Sequence, residues 1–182
     1  MIAIVGKGPS LIGKNMGSLI DACNVVVRTA GGKLDNDYGH KTDYIIVTTL
    51  SIPEIEQSDL TGVKGIWIYK TRTRLGYSDC ISYVKSLFDG EIKFANIQEW
   101  IEEYRKTATV FEYSPKVNYP SKGTVAAIMA MKSFDYPHVI VAGFDYITGR
   151  TKVAKPKHDF KVEKELLFKA ANQYNKTLKG MT

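Results

Sequence analysis

The sequence predicts an α/β fold: one Rossmann-like, doubly wound domain spanning residues 1–182, with a mostly parallel sheet. Three observations carry this. Short apolar runs alternate with amphipathic stretches along the whole chain. Several runs, such as Val25-Val26-Val27 and Val139-Ile140-Val141-Ala142, are apolar at consecutive positions, as strands covered on both faces are. No repeat or linker interrupts the alternation, and 182 residues suit one core.

Ile2–Val5 reads as the first strand, followed by a turn of Gly, Pro and Ser and a helix over about 11–22 capped by Ser10. Residues 24–28 form the second strand, 29–41 a polar loop and 43–48 the third strand. Pro53 opens a short helix to about Ser58, and Gly65–Tyr69 is the fourth strand. Ser78 caps a helix to about Phe88, with Cys80, Ile81 and Val84 on its inner stripe. A strand over 91–95, a helix over 97–104 and a loop over 112–121 follow. The 123–134 helix is apolar nearly all round and therefore buried. Residues 138–144 form another buried strand, 146–156 an irregular loop, and 160–178 the last helix.

In such a sheet, ligands bind beyond the carboxyl ends of the strands, so the loops at 6–10, 29–42, 70–77 and 145–158 hold the candidates. Lys plus Arg total 25 against 19 Asp plus Glu, a net charge of +6, which suits an anionic partner or a solvated basic surface. The two cysteines have no partner motif and read as reduced thiols. No apolar stretch has the length of a membrane span, and Met1 leads straight into a strand, which predicts a cytoplasmic protein.

The opening turn, Gly6-Lys7-Gly8-Pro9-Ser10, has the character of an anion site. A dinucleotide fingerprint fails at Leu11, which stands where a small residue must let the helix approach the strand. A Walker-type loop over Gly8–Lys14, implying a magnesium-dependent phosphotransferase or nucleotide-binding module, has Asn15 where a hydroxyl should hold the metal. Ser121 reads as an N-cap, and Lys122, Gly123 and Thr124 open the buried helix with N–H groups available to an anion. Glu163 lies on the apolar seam of the last helix with Leu167, Ala170, Tyr174 and Leu178, either half exposed or directed inward beside His158. Asp35-Asn36-Asp37 has the form of a metal-binding triplet, but Gly31-Gly32-Lys33 before it favours a solvated loop.

Three blocks in order resemble glycosyltransferase family 29, the sialyltransferases. The first is Val5-Gly6-Lys7-Gly8-Pro9-Ser10-Leu11 with Ile20-Asp21, Val25–Arg28 and Gly39-His40-Lys41-Thr42-Asp43. The second is Tyr119-Pro120-Ser121-Lys122-Gly123 with Val139–Phe144, and the third is His158-Asp159-Phe160-Lys161-Val162-Glu163. The resemblance implies a GT-A-like variant of the Rossmann fold. It also implies metal-independent, inverting transfer from a CMP- or UDP-linked sugar, without a cofactor, to a hydroxyl of a glycan or of a hydroxylated base in DNA. His158 would be the base, with Glu163 as its partner. Gly6, Lys7, Gly8, Ser10, Arg28, Thr29, Ser121, Lys122, Gly123 and Thr124 would bind the nucleotide sugar. Lys70, Arg72 and Arg74 are candidates for acceptor or phosphate contacts. Lys7 and Ala30 stand where the family usually has asparagines, so the donor preference is expected to differ. The short length suggests a bacterial or phage relative.

Overall fold

The computed structural model describes residues 1–71, 77–108, 119–144 and 158–181. Seven strands form one sheet: β1 (Ile2–Val5), β2 (Val25–Thr29), β3 (Tyr44–Thr48), β4 (Gly65–Tyr69), β5 (Glu91–Phe94), β6 (His138–Ala142) and β7 (Thr177–Met181). Their order is β5-β4-β3-β2-β1-β6-β7, and all six pairings are parallel. Among the described residues the helices are α1 (Gly17–Asp21), α2 (Tyr77–Leu87), α3 (Gln98–Thr107), α4 (Lys122–Ser133) and α5 (Phe160–Gln173). Two 3₁₀ turns, Pro9–Leu11 and Ile52–Ile55, follow β1 and β3.

Strand parity divides the core between the two faces. Ile2, Ile4, Val25, Val27, Ile46, Trp67 and Val141 point to the face covered by α3, α4 and α5. Ala3, Val5 and Val26 pack under Leu11, Ile20 and Tyr38 on the other face, where Ile45, Val47, Ile66 and Ile68 meet α2. Every side chain from Val125 to Met131 is buried, as the unbroken apolar character of α4 requires. Strand order reverses at β1, so the crevice between the carboxyl ends of β1 and β6 is the topological switch point, where α/β sheets bind ligands.

Four sequence expectations need correction. The helix expected over 11–22 contracts to Gly17–Asp21, because Gly13 (φ 73°) and Asn15 (φ 53°) are left-handed. Asp37 fixes both, accepting from their amides at 2.8 Å, and Ser10 sits inside the 3₁₀ turn rather than capping a helix. Ser78 likewise falls inside α2, which begins at Tyr77.

The last helix stops at Gln173, not 178, and the chain continues as edge strand β7. The stop is a Schellman turn. Asn175 takes φ 53°, its amide donates to Asn172 O (3.2 Å), and the Lys176 amide donates to Ala171 O (2.7 Å). Leu178 consequently belongs to the sheet rather than to the helical seam. Among the described residues no helix is long and apolar enough to cross a membrane.

Candidate active site

A pocket of about 490 Å³ opens at the switch point. Gly6, Lys7 and Gly8 after β1, and Gly143 and Phe144 after β6, line its floor. Thr29 and Thr48 end β2 and β3, with Ser51 and Glu54 beyond them. The third side is Tyr119 through Gly123 at the start of α4, together with His158 and Phe160 before and at the start of α5. The three sequence blocks, far apart along the chain, thus meet at one cavity.

The opening turn is built differently from a phosphate loop. The Gly6 amide donates to Ala142 O (2.8 Å) and the Gly8 amide to Gly143 O (3.0 Å), so these two donors are used to stitch β1 to β6. The turn is tight because a Cβ on Gly6 would stand 2.7 Å from the Gly143 carbonyl oxygen. What the turn offers the pocket is the Lys7 side chain. Lys14 is exposed and does not line the cavity, contrary to what a Walker-type loop needs.

The start of α4 is the second source of positive potential. Ser121 is its N-cap, and its Oγ accepts from the Thr124 amide at 3.4 Å. Lys122 and Gly123 are the first two helical positions, whose amides lack an acceptor within the helix, and both residues line the pocket. Gly123 is required for the packing here: an added Cβ would meet the Phe144 ring at 2.7 Å.

Glu163 is fully buried beneath this helix start. Oε1 accepts from the Ser121 amide (2.8 Å), and Oε2 accepts from Ser121 Oγ (2.6 Å) and Thr124 Oγ1 (2.5 Å). Of the two orientations open from sequence, it takes the inward one. Burial pushes its carboxyl above the usual range, while His158 and the donors from Ser121 and Thr124 pull the other way. Thr124 is buried with it, so its side chain ties α4 to α5 rather than lining the cavity.

His158 sits at the pocket edge with Nδ1 3.1 Å from Tyr119 O and 3.6 Å from Glu163 Oε1. A carbonyl can only accept, so the Tyr119 contact puts the proton of a neutral imidazole on Nδ1 and leaves the Nε2 lone pair available. The segment is anchored from α3, since the Asp159 amide donates to Tyr104 OH at 2.9 Å. Burial raises the Tyr104 phenol to about 12, so it stays protonated there. Asp159 in turn caps α5, accepting from the Val162 amide.

Glu54 was not singled out from sequence. Its Oε2 receives Lys7 Nζ at 2.9 Å and Lys122 Nζ at 2.7 Å, and Lys122 also reaches Ser51 Oγ at 3.2 Å. Burial pushes the Glu54 carboxyl up, but the two lysines outweigh it and hold it below its ordinary value. Burial pulls the Lys122 ammonium down, against the opposing pull of Glu54.

Several named residues lie elsewhere. Arg28 alternates with Val27 and Thr29, so its guanidinium points to the face opposite α4. It is buried there, and Nε donates to Lys41 O (2.9 Å) and Thr42 Oγ1 (3.0 Å). It secures the loop between β2 and β3 and does not line the pocket, whereas Thr29 does. Asp21 receives the His40 and Lys41 amides and Asp43 the Val26 amide, which gives this block a bracing role. Asp35 accepts from the Asp37 and Tyr38 amides and closes the loop on itself, while the Asp37 carboxylate holds the Gly13 and Asn15 amides of the earlier turn. Ser10 is outside the pocket lining. Lys70 is exposed at the end of β4, while Arg72 and Arg74 lie outside the described residues, as does most of the 145–158 loop.

Comparison with known proteins bears on the fold and on the first part of the chain. Residues 2–75 match the model of glycosyltransferase family 29 (sialyltransferase). No curated protein matches the chain. Among solved structures, a mammalian sialyltransferase superposes with a TM-score of 0.65 at 18% identity, covering 98% of this chain and 68% of that one. A mammalian sialyltransferase in complex with Gal-beta-1-3GalNAc-ortho-nitrophenol gives 0.64 at 18% identity over the same shares. Residues 2–75 are thus similar to glycosyltransferase family 29, the sialyltransferase family, and nearly the whole chain shares the fold of the mammalian sialyltransferases.

Proposed function

We propose that the protein is an inverting glycosyltransferase that moves a sugar from a nucleotide sugar to a glycan hydroxyl without a metal ion. The observation that carries this reading is the pocket-edge imidazole whose Nδ1 faces the Tyr119 carbonyl, in one cavity with ammonium and amide groups. Such a cavity supplies both a base for an attacking hydroxyl and stabilisation for a departing anion.

In the proposed reaction, His158 Nε2 takes the proton of the acceptor hydroxyl as that oxygen attacks the anomeric carbon. The bond from that carbon to the donor phosphate breaks, and its electron pair leaves with the phosphate. Lys7, Lys122 and the Lys122 and Gly123 amides take up the developing charge, the task a divalent ion performs in metal-dependent transferases. The imidazolium formed at His158 has the buried Glu163 carboxylate 3.6 Å away. Glu163 therefore acts through its neighbours: it orients the Ser121 helix start beside the base.

A glycan acceptor is favoured by the similar mammalian sialyltransferase, whose bound molecule is Gal-beta-1-3GalNAc-ortho-nitrophenol. A hydroxylated DNA base is the rival acceptor, motivated by the +6 net charge and the exposed Lys70. The magnesium-dependent phosphotransferase reading has less support, because Lys14 is turned away from the cavity. The test is a thermal-shift and calorimetry panel of CMP, UDP, GDP and their sugars, since native-state ligands raise the melting temperature. Stabilisation by one nucleotide family, stronger with its sugar attached, is the expected result. No stabilisation by any of them would overturn the proposal.

A further inference from the structure

Two lysines share one carboxylate oxygen at the pocket wall. Lys7 Nζ and Lys122 Nζ reach Glu54 Oε2 from β1's turn and from the first position of α4, 2.9 and 2.7 Å away. The lysines are 115 positions apart in the chain, and Glu54 belongs to a third segment, the 3₁₀ turn after β3. The three meet only because the carboxyl ends of β1 and β3 and the start of α4 border the same cavity.

This geometry is a cost unless the lysines have a second use. The Lys122 side chain is 22% exposed, and an ammonium taken so far from water needs an anion beside it. Glu54 satisfies it, but one carboxylate against two ammoniums leaves the cluster with an excess positive charge facing the cavity. Two ammoniums held against a single oxygen are also spaced to bridge the oxygens of one phosphate group. The Lys122 and Gly123 amides add uncharged donors on the same wall.

We propose that Glu54 Oε2 occupies the position taken by an oxygen of the donor's phosphate, so that Glu54 is an internal competitor which the donor displaces from Lys7 and Lys122. The proposal rests on the pocket being the donor site, and adds to it the residue that sets how strongly phosphate is held. When phosphate enters, both ammoniums transfer to it and Glu54 turns toward solvent, which its partial exposure permits (32% of the side chain). When the product nucleotide leaves, Glu54 returns, which prevents the two lysines from retaining the product. Glu54 thereby trades donor affinity for release, a useful exchange where product departure limits turnover.

The test is calorimetric titration with inorganic pyrophosphate, with CMP and UDP, and with the phosphate-free nucleosides cytidine and uridine. It compares the natural protein with Glu54→Gln, Lys7→Gln/Lys122→Gln and the triple variant. Glu54→Gln should bind pyrophosphate and the preferred nucleotide at least tenfold more tightly, with nucleoside affinity unchanged. That gain should disappear when both lysines are also replaced. Equal or weaker phosphate binding by Glu54→Gln would overturn the proposal, because Glu54 would then be positioning the lysines rather than competing for them. A gain that persists without the lysines would overturn it too. The arms separate this from the transferase reading. Pyrophosphate behaving as expected while no nucleotide binds would sink that reading and keep the anion site. Nucleotides binding with no effect of Glu54→Gln would do the reverse.

Discussion

Replacing Glu163 by alanine removes the acceptor shared by three donors: the Ser121 amide, Ser121 Oγ and Thr124 Oγ1. Each buried donor left without a partner costs about 1–3 kcal/mol, and the hydroxyls recover part of theirs by rotating. The emptied volume adds to this, because Glu163 is fully buried between α4 and α5. Glutamine is the proper reference. It keeps an acceptor for the Ser121 amide, its amide donates to the hydroxyls, and it carries no charge to desolvate. Alanine should therefore be less stable than glutamine by about 3–5 kcal/mol, a large part of the total stability of an ordinary domain. Urea denaturation followed by circular dichroism, with the slope checked for constancy, measures the difference. Alanine and glutamine variants within about 1 kcal/mol of each other would refute the role given to Glu163. The pH dependence supplies a second reading. Burial raises the folded-state carboxyl, so the native state binds more protons than the unfolded state between the two values. That contribution makes the natural protein lose stability as pH rises from the unfolded carboxylate value, about 4.3, through the folded one. Glu163→Gln should lack this component.

Gly143→Ala should cost about 1–2 kcal/mol, since φ is +67° and the added Cβ would stand 3.1 Å from Gly6 O; a urea midpoint unchanged from the natural protein would contradict the strain argument. Gly123→Ala drives a Cβ to 2.7 Å from the Phe144 ring, and should weaken nucleotide binding more than it lowers stability. Calorimetry beside denaturation separates the two, and unaltered affinity would show that the ring yields freely. Turnover should be unchanged by a chelator, because Lys7, Lys122 and the α4 amides carry the leaving-group charge in the proposed reaction; activity lost with chelator and restored by magnesium would favour the phosphotransferase reading.

The fold is legible because five of the seven strands announce themselves as largely apolar runs, and β5 shows as the alternating Glu91-Ile92-Lys93-Phe94. The seventh was hidden by coincidence. Tyr174 and Leu178 continue the helical spacing of Leu167 and Ala170, and only the left-handed turn at Asn175 ends the helix. The same kind of event shortened the first helix, where Gly13 and Asn15 break an otherwise convincing apolar stripe. Half of the pocket residues are nameable from sequence, because Gly6–Gly8, Ser121–Gly123 and His158 stand at strand ends or helix starts. The motif match points Arg28 to the pocket, but it does not say which face of β2 a side chain takes, and Arg28 takes the other one. Glu54 carried no signal at all: its partners Lys7 and Lys122 lie 47 and 68 residues away and are brought to it only by the parallel sheet.

In the proposed reaction this pocket transfers sugar from a nucleotide donor, with His158 taking the acceptor's proton. The most direct measurement follows nucleotide release and glycan product together by mass spectrometry, using whichever nucleotide sugar binds. It compares the natural protein with His158→Ala. The account predicts one product formed per nucleotide released, and a fall of several orders of magnitude in kcat for His158→Ala with donor affinity kept. Equal turnover by His158→Ala, or a donor that binds but is never cleaved in the presence of any glycan or hydroxylated-base acceptor, would contradict it.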